Sequence, residues 1–319
     1  MQKTDHILLY HRSINSPSGD SIAVITFSHH KGGTGKTTSC LNIAGFLVQA
    51  GKKVLVVDCD PQANATVGLG FSSQTSGRNM YDVFLSRAEG FPKTGLSEII
   101  RRTPSGIDLA PSHLDLVGAD PYLYRINGRE GILREALAEI KDRYDFVLVD
   151  TPPSMGLLVI NGLFAADHII VTLDSGTFAL EGVSTLSTIF GDIKELLGRE
   201  IRPEMAIVTR WGEGVALPCP PEEPGNKKDL FSLIRNLFHK KPAPTPAEIK
   251  ALEEQKTEHE RLLLMLDEIQ RLFRTVYTVP YSPLIYEAQR RGLPISHFAP
   301  DSSAGKAYKK IEDVVITWN

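Results

Sequence analysis

The stretch Ile22-Ala-Val-Ile-Thr-Phe-Ser-His-His-Lys-Gly-Gly-Thr-Gly-Lys-Thr-Thr38 constrains this chain more than any other. An apolar, β-rich run enters a glycine-rich turn, and a helical pattern, Ser39-Cys-Leu-Asn-Ile-Ala-Gly-Phe-Leu47, begins at once. Strand, loop and helix in that order give such a turn a physical meaning. Gly32, Gly33 and Gly35 let the backbone wrap closely and aim several N–H groups inward, and the helix N-terminus adds its partial positive charge. An anion such as a phosphate fits there. Lys36 can then reach β- and γ-phosphates, and the Thr37 hydroxyl can ligate Mg²⁺.

The loop departs from the common G-x-x-x-x-G-K-[ST] pattern. Its first glycine position falls on His30, and a second lysine, Lys31, stands directly before Gly32. K-G-G-x-G-K-T-T is the deviant Walker A signature, and on it the chain resembles the ParA/MinD family of dimeric ATPases. The resemblance implies ATP and Mg²⁺ as cofactors, with Lys31, Gly32, Gly33, Thr34, Gly35, Lys36, Thr37 and Thr38 around the nucleotide. It also implies a homodimer with ATP sandwiched between protomers, where Lys31 of each reaches the phosphates bound by the other.

Later motifs fall in order. Val54-Leu-Val-Val-Asp58 reads as a fully apolar strand of a buried parallel sheet. It runs into Asp58-Cys-Asp-Pro-Gln-Ala-Asn64, at the strand end where α/β sheets bind ligands. Tyr144-Asp-Phe-Val-Leu-Val-Asp150-Thr-Pro-Pro153 has the Walker B arrangement, an apolar strand ending in a carboxylate that holds Mg²⁺ through water. D-x-D-P-Q-x-N extends the resemblance. By it Asp60 polarises the attacking water and joins Lys31 and Lys36 as a catalytic residue. Asp58 supports the Mg²⁺ and loop network, which makes Thr37, Asp58, Asp60 and Asp150 the metal set. In relatives the strand Met205–Arg210 ends near the purine and a proline loop packs on the adenine. Thr209, Arg210, Pro280 and Tyr281 are therefore candidate base contacts.

Parallel strands alternating with helices predict an α/β fold, a doubly wound, mostly parallel sheet with helices on both faces, of about seven strands. Residues 1–20 read as an N-terminal lead. Residues 21–319 read as one P-loop ATPase domain, with a helical insert at about 211–275 that departs from the family. Helices are expected over Asn79–Arg87, around Leu96–Arg102 and over Arg129–Asp142, with a strand at Ile107–Pro111. A long helix is expected to run to about Arg274, with Leu262, Met265, Leu266, Ile269, Leu272 and Phe273 on one stripe. That stripe either packs on the sheet or forms a surface for a cargo adaptor, DNA or membrane. A strand and loop fill Thr275–Ala288, and a last helix follows Asp301.

The net charge is −3, so DNA contact requires a local patch rather than a global basic field. The three cysteines are too few and scattered for a disulfide framework or zinc site, and a reducing cytoplasm fits them. The resemblance implies an ATP-dependent switch that partitions or positions DNA, hydrolysing slowly until a ParB-like or adaptor protein stimulates it. Nonspecific DNA binding would make it nucleoid-associated. Tyr281, Ser282 and Pro283 stand where ParA proteins often carry DNA-binding arginines, so that contact is lost or has moved to Arg290, Arg291 and the last helix. The alternatives are ParA-like positioning of a protein cargo and MinD-like membrane cycling. For the latter, the acid-containing segment Lys309–Trp318 is a poor membrane helix, and the membrane is not an expected partner. A metal-cluster ATPase would need paired cysteines, and Cys40, Cys59 and Cys219 do not pair in sequence.

Overall fold

A computed structural model of the chain describes residues 22–72, 77–154, 156–175, 203–212, 260 and 262–319. The N-terminal lead and nearly all of the insert lie outside the described residues. Labels below number the described elements in chain order.

The short apolar runs became strands. β1 (Ala23–Ser28), β2 (Val54–Asp58) and β5 (Phe146–Asp150) are buried at every residue. With β3 (Arg101–Arg102), β4 (Asp108–Ala110), β6 (His168–Asp174), β7 (Met205–Trp211) and β8 (Thr275–Pro280) they build one eight-stranded sheet. Its order is β3-β4-β2-β5-β1-β6-β7-β8. All pairings are parallel except β3 with β4.

Side-chain alternation sends each central strand to two cores. Ile25, Phe27, Val54 and Val56 pack with helix α1 (Lys36–Gln49) on one face. Val24, Leu55, Val57, Val147 and Val149 pack on the other, with α3 (Met80–Leu85), α5 (Ile132–Ala138) and α6 (Leu157–Ala165). Short α2 (Asn64–Gly68) and α4 (Asp120–Leu123) complete the first half. The doubly wound expectation holds.

The second half supplies α7 (residues 262–272), α8 (Pro283–Arg290), α9 (Ile295–Phe298) and α10 (Ser303–Val315). Leu262, Met265, Ile269 and Phe273 join Val171, Ala206 and Val208 in a third cluster, so the described part of the stripe packs on the sheet. Leu272 is the exception, exposed on the outer side. The apolar face of α10 (Ala304, Tyr308, Ile311, Val315) is buried in the core that holds α1.

Three expectations were corrected. Around Leu96–Arg102 there is no helix: a 3₁₀ turn over Leu96–Glu98 precedes the edge strand β3, paired antiparallel with β4. Within Thr275–Ala288, Ser282 precedes Pro283 at the first turn of α8, so a helix replaces the expected loop. The helix in Arg129–Asp142 is shorter than expected, since 3₁₀ turns flank α5 at both ends.

Candidate functional site

The loop between β1 and α1 lies at the carboxyl edge of the sheet, between strands that diverge to either side. Gly35 occupies the N-cap of α1 with φ 87°, and no side chain caps the helix. The first amides of a 14-residue helix are thus left for an external acceptor. Gly33 is also left-handed, at φ 80°, and a Cβ built there meets nothing within 4 Å. The cradle is open where a phosphate group would lie.

Sheet register places the acids. Asp58 of β2 and Asp150 of β5 are direct cross-strand partners at the strand ends. Thr37 Oγ1 donates to Asp150 Oδ2 at 2.7 Å, while buried Asp150 Oδ1 has no hydrogen-bond partner. Burial, with Asp58 beside it, drives the Asp150 carboxyl well above its usual range against that hydrogen bond. Asp58 is pushed up to about 7 by burial, opposed by the Thr66 hydroxyl and amide that donate to its Oδ2. Its Oδ1 accepts the Asp60 amide, so Asp58 anchors the turn that carries Asp60. Asp60 accepts the Gln62 amide at 2.9 Å and faces the cavity.

A hydroxyl beside a carboxylate with an orphaned buried oxygen suits a hard divalent cation. Among the described residues no group of three or more His, Cys, Asp or Glu side chains forms a metal site by itself. Thr37 and Asp150 fit an ion that takes its remaining ligands from phosphate and water.

Two lysines meet at the loop with different environments. Lys36 is buried; its ammonium donates to the Lys31 carbonyl at 3.1 Å, and desolvation lowers its pKa against the pull of Asp150 and Asp60. Lys31 is not among the walls of the cavity. Its Nζ meets Asp174 Oδ2 at 3.2 Å, with the lysine side chain 40% exposed. The Lys31 amide donates to Nδ1 of buried His29, whose ring stacks on His30 at 4.7 Å. Burial, with His30 and Lys36 nearby, lowers the His29 pKa to about 4.

A cavity of about 650 Å³ opens from the loop, within the usual range for small-molecule sites. Residues 32–38 and Asp60 form its floor. Thr209, Arg210, Pro280 and Tyr281 all line it. Arg210 is exposed at φ 55°, and its carbonyl accepts the Ser175 hydroxyl. Thr209 is buried and turns its hydroxyl to backbone carbonyls.

Sequence reasoning missed the α8 walls of the cavity, Ile285, Tyr286 and Gln289, and offered Arg290 only as a DNA contact. Tyr286 is 65% exposed beneath the Arg290 guanidinium, and Gln289 reaches the Thr38 hydroxyl at 3.4 Å. Their i, i+3, i+4 spacing was the available signal, hidden while this stretch was read as loop.

The C-terminal segment packs closely on α1. Asn42 Oδ1 accepts the Ile295 amide at 2.6 Å, and Gln49 donates to the Ser296 carbonyl at 2.7 Å. A Cβ at Gly45 would meet Ser296 Oγ at 2.3 Å, so the α1 backbone must be bare there.

The parallel sheet and its glycine cradle over paired strand-end aspartates define a P-loop nucleotide-binding protein. Comparison with known proteins narrows this. The AAA_31 family model, described as an AAA domain, matches residues 22–203. The chain is 42% identical to the chromosome-partitioning ATPase Soj of Treponema pallidum over 163 residues, 51% of this chain and 61% of that protein. It is 35% identical to the chromosome partitioning protein ParA of Myxococcus xanthus over 215 residues, 66% of this chain and 74% of that one. The fold matches the septum site-determining protein MinD of Pyrococcus horikoshii, complexed with Mg-ADP, at TM-score 0.61 and 20% identity, covering 92% and 96% of the two chains. The chain belongs to the AAA_31 family and, within it, to the ParA/MinD group of P-loop ATPases.

Proposed function

We propose that this chain is an ATP-hydrolysing switch that dimerises on ATP and partitions or positions DNA, as one ATPase domain over residues 21–319. The observation that carries the reading is the division of labour between the two loop lysines. Lys36 is committed to its own cradle, whereas Lys31 pairs with Asp174 and does not line its own cavity, which supports a role for it at a second protomer's site.

Within one protomer the loop amides and Lys36 hold the β- and γ-phosphates, and Thr37 and Asp150 hold the metal ion. A magnesium ion held by Thr37 and Asp150 would supply positive charge against the phosphates. Lys36 stabilises charge developing on the transferring group. Asp60 orients and polarises the attacking water from the cavity floor. Arg210, Pro280, Tyr281 and the newly found Tyr286 flank the base. Lys31 would complete the partner's site, and a ParB-like or adaptor protein would stimulate turnover.

Support for DNA as cargo comes from the Treponema and Myxococcus relatives, which are named for chromosome partitioning. Arg290 and Arg291 are the local cations that could replace arginines lacking after Pro280. Among the described residues no helix is long and apolar enough to cross a membrane. The apolar face of α10 is already covered by α1, which argues against lipid insertion of that helix, and nucleoid association would follow from DNA binding.

The test is DNA co-sedimentation with ADP, ATP and a slowly hydrolysed analogue, run beside anionic liposomes. Binding to DNA with the analogue but not ADP, abolished by Lys31→Ala, is expected. ATP-dependent sedimentation on liposomes and not on DNA would overturn the DNA reading.

A further inference from the structure

Three buried threonines from three elements meet beneath the phosphate loop. Thr34 lies in the loop, Thr172 in β6 and Thr209 in β7, at 1%, 0% and 5% exposure. The Thr34 and Thr172 hydroxyls are 3.0 Å apart. Thr209 Oγ1 lies 3.0 Å from the Thr34 carbonyl and 3.2 Å from the Leu173 carbonyl, and donates its one proton between them. A Cβ on Gly35 would stand 2.7 Å from Thr209 Cγ2, so the threonine methyl occupies space that only glycine leaves.

Valine would serve the strands and the core at the same volume, because β-branching is what a strand favours. A buried hydroxyl costs free energy unless it is hydrogen-bonded, so what these hydroxyls hold explains their presence. The Thr209 hydroxyl holds the Thr34–Gly35 peptide by its carbonyl, and the Thr34–Thr172 hydroxyl pair ties the neighbouring side chain to β6. The described peptides are trans, so this unit's C=O and N–H point in opposite directions. With the Thr34 carbonyl fixed on Thr209 at the β6 and β7 ends, the Gly35 N–H points away from that threonine and, on the cradle reading, toward a bound phosphate. Without such a tether, glycine's conformational freedom lets this peptide turn and carry the donor away from the cradle.

We propose that Thr209, together with Thr34 and Thr172, is a positioning residue that sets the loop in its phosphate-binding form before nucleotide arrives. The proposal rests on the reading of this loop as a phosphate cradle. It also gives Thr209 a role besides flanking the base.

Isothermal titration of the full chain with ADP and ATP in Mg²⁺, beside melting of the nucleotide-free protein, tests it. Thr209→Val should weaken both nucleotides about tenfold and also melt lower, because it leaves buried carbonyls without their donor. Thr209→Ser keeps the hydroxyl and loses the buried methyl, so it should melt lower yet bind within about twofold of wild type. That both variants melt lower while only Thr209→Val loses affinity is the signature, since a residue that only packs would move affinity and stability together. Thr34→Val and Thr172→Val should each weaken binding less than Thr209→Val. Their double variant should be no weaker than the worse single, because the two hydroxyls share one bond.

Wild-type affinity in Thr209→Val, or an equal loss in Thr209→Ser, overturns the proposal. If Thr209→Val does not fold, wild-type affinity in both Thr34→Val and Thr172→Val overturns it instead. A wild-type protein that binds no ADP sinks the cradle reading itself, and the threonine role with it.

Discussion

The two ends of the nucleotide cavity are built on opposite principles. At the phosphate end, Lys36, Asp60, Asp58 and Asp150 are buried; hydrogen bonds from Thr37, Thr66 and neighbouring amides fix the three carboxylates, and Lys36 donates to the Lys31 carbonyl. At the base end, Tyr281 and Tyr286 are 52% and 65% exposed, and Arg210 and Arg290 stand in solvent. Charge in a water-poor, prearranged site is where electrostatic stabilisation is strongest. Exposed rings hold a base by stacking, which is weaker and more tolerant of what is stacked. On the proposed function, chemistry would be concentrated at the buried end and the open end would contribute affinity.

Substitutions at the two ends should therefore differ in kind. Lys36→Ala should lower ATP turnover by about 10²–10³-fold, the scale for removing one prearranged donor. Asp60→Ala should abolish turnover while keeping nucleotide affinity. Steady-state hydrolysis beside titration checks both, and normal hydrolysis by Asp60→Ala would remove the water-orienting role. At the open end, Tyr286→Ala should weaken ATP by about 1–3 kcal/mol with turnover at saturation unchanged. Tripolyphosphate, which has no base, should bind the variant and the wild type alike. Equal losses for both ligands would show that the two ends are not separable.

The smallest effect sharpens the comparison from below the loop. His29 accepts the Lys31 amide as a neutral ring, with its folded pKa lowered from 6.5 to about 4. As pH falls through 6.5 the unfolded chain takes up a proton that the folded chain refuses. Stability is lost between about 6.5 and 4, and the loss is complete below 4. His29→Gln keeps an acceptor but no titration there, so its denaturant midpoint should fall less over that window than the wild type's. Parallel pH profiles for the two proteins would contradict this.

The sequence revealed the buried end more fully than the open one. Val54–Asp58 and Phe146–Asp150 are short, uniformly apolar and end in acids, which only a buried parallel sheet explains. The loop residues are contiguous, so their order alone gave the cradle. Tyr286, Gln289 and Arg290 depend instead on helix α8, whose start is a serine and a proline after a strand that also contains proline. β3 is two half-exposed arginines that become a strand only by pairing with β4, a tertiary effect that no local pattern carries. The Thr34, Thr172 and Thr209 grouping likewise needs the β6–β7 register, which places Asp174 opposite Thr209 beside the loop.

The measurement that bears most directly on the account is the molar mass of the Asp60→Ala protein in solution, with saturating Mg-ATP and with Mg-ADP, by light scattering or sedimentation. The account predicts a dimer with ATP, a monomer with ADP, and a monomer in both once Lys31→Ala is added. A chain that binds ATP yet stays monomeric, or a dimer indifferent to Lys31→Ala, would contradict it.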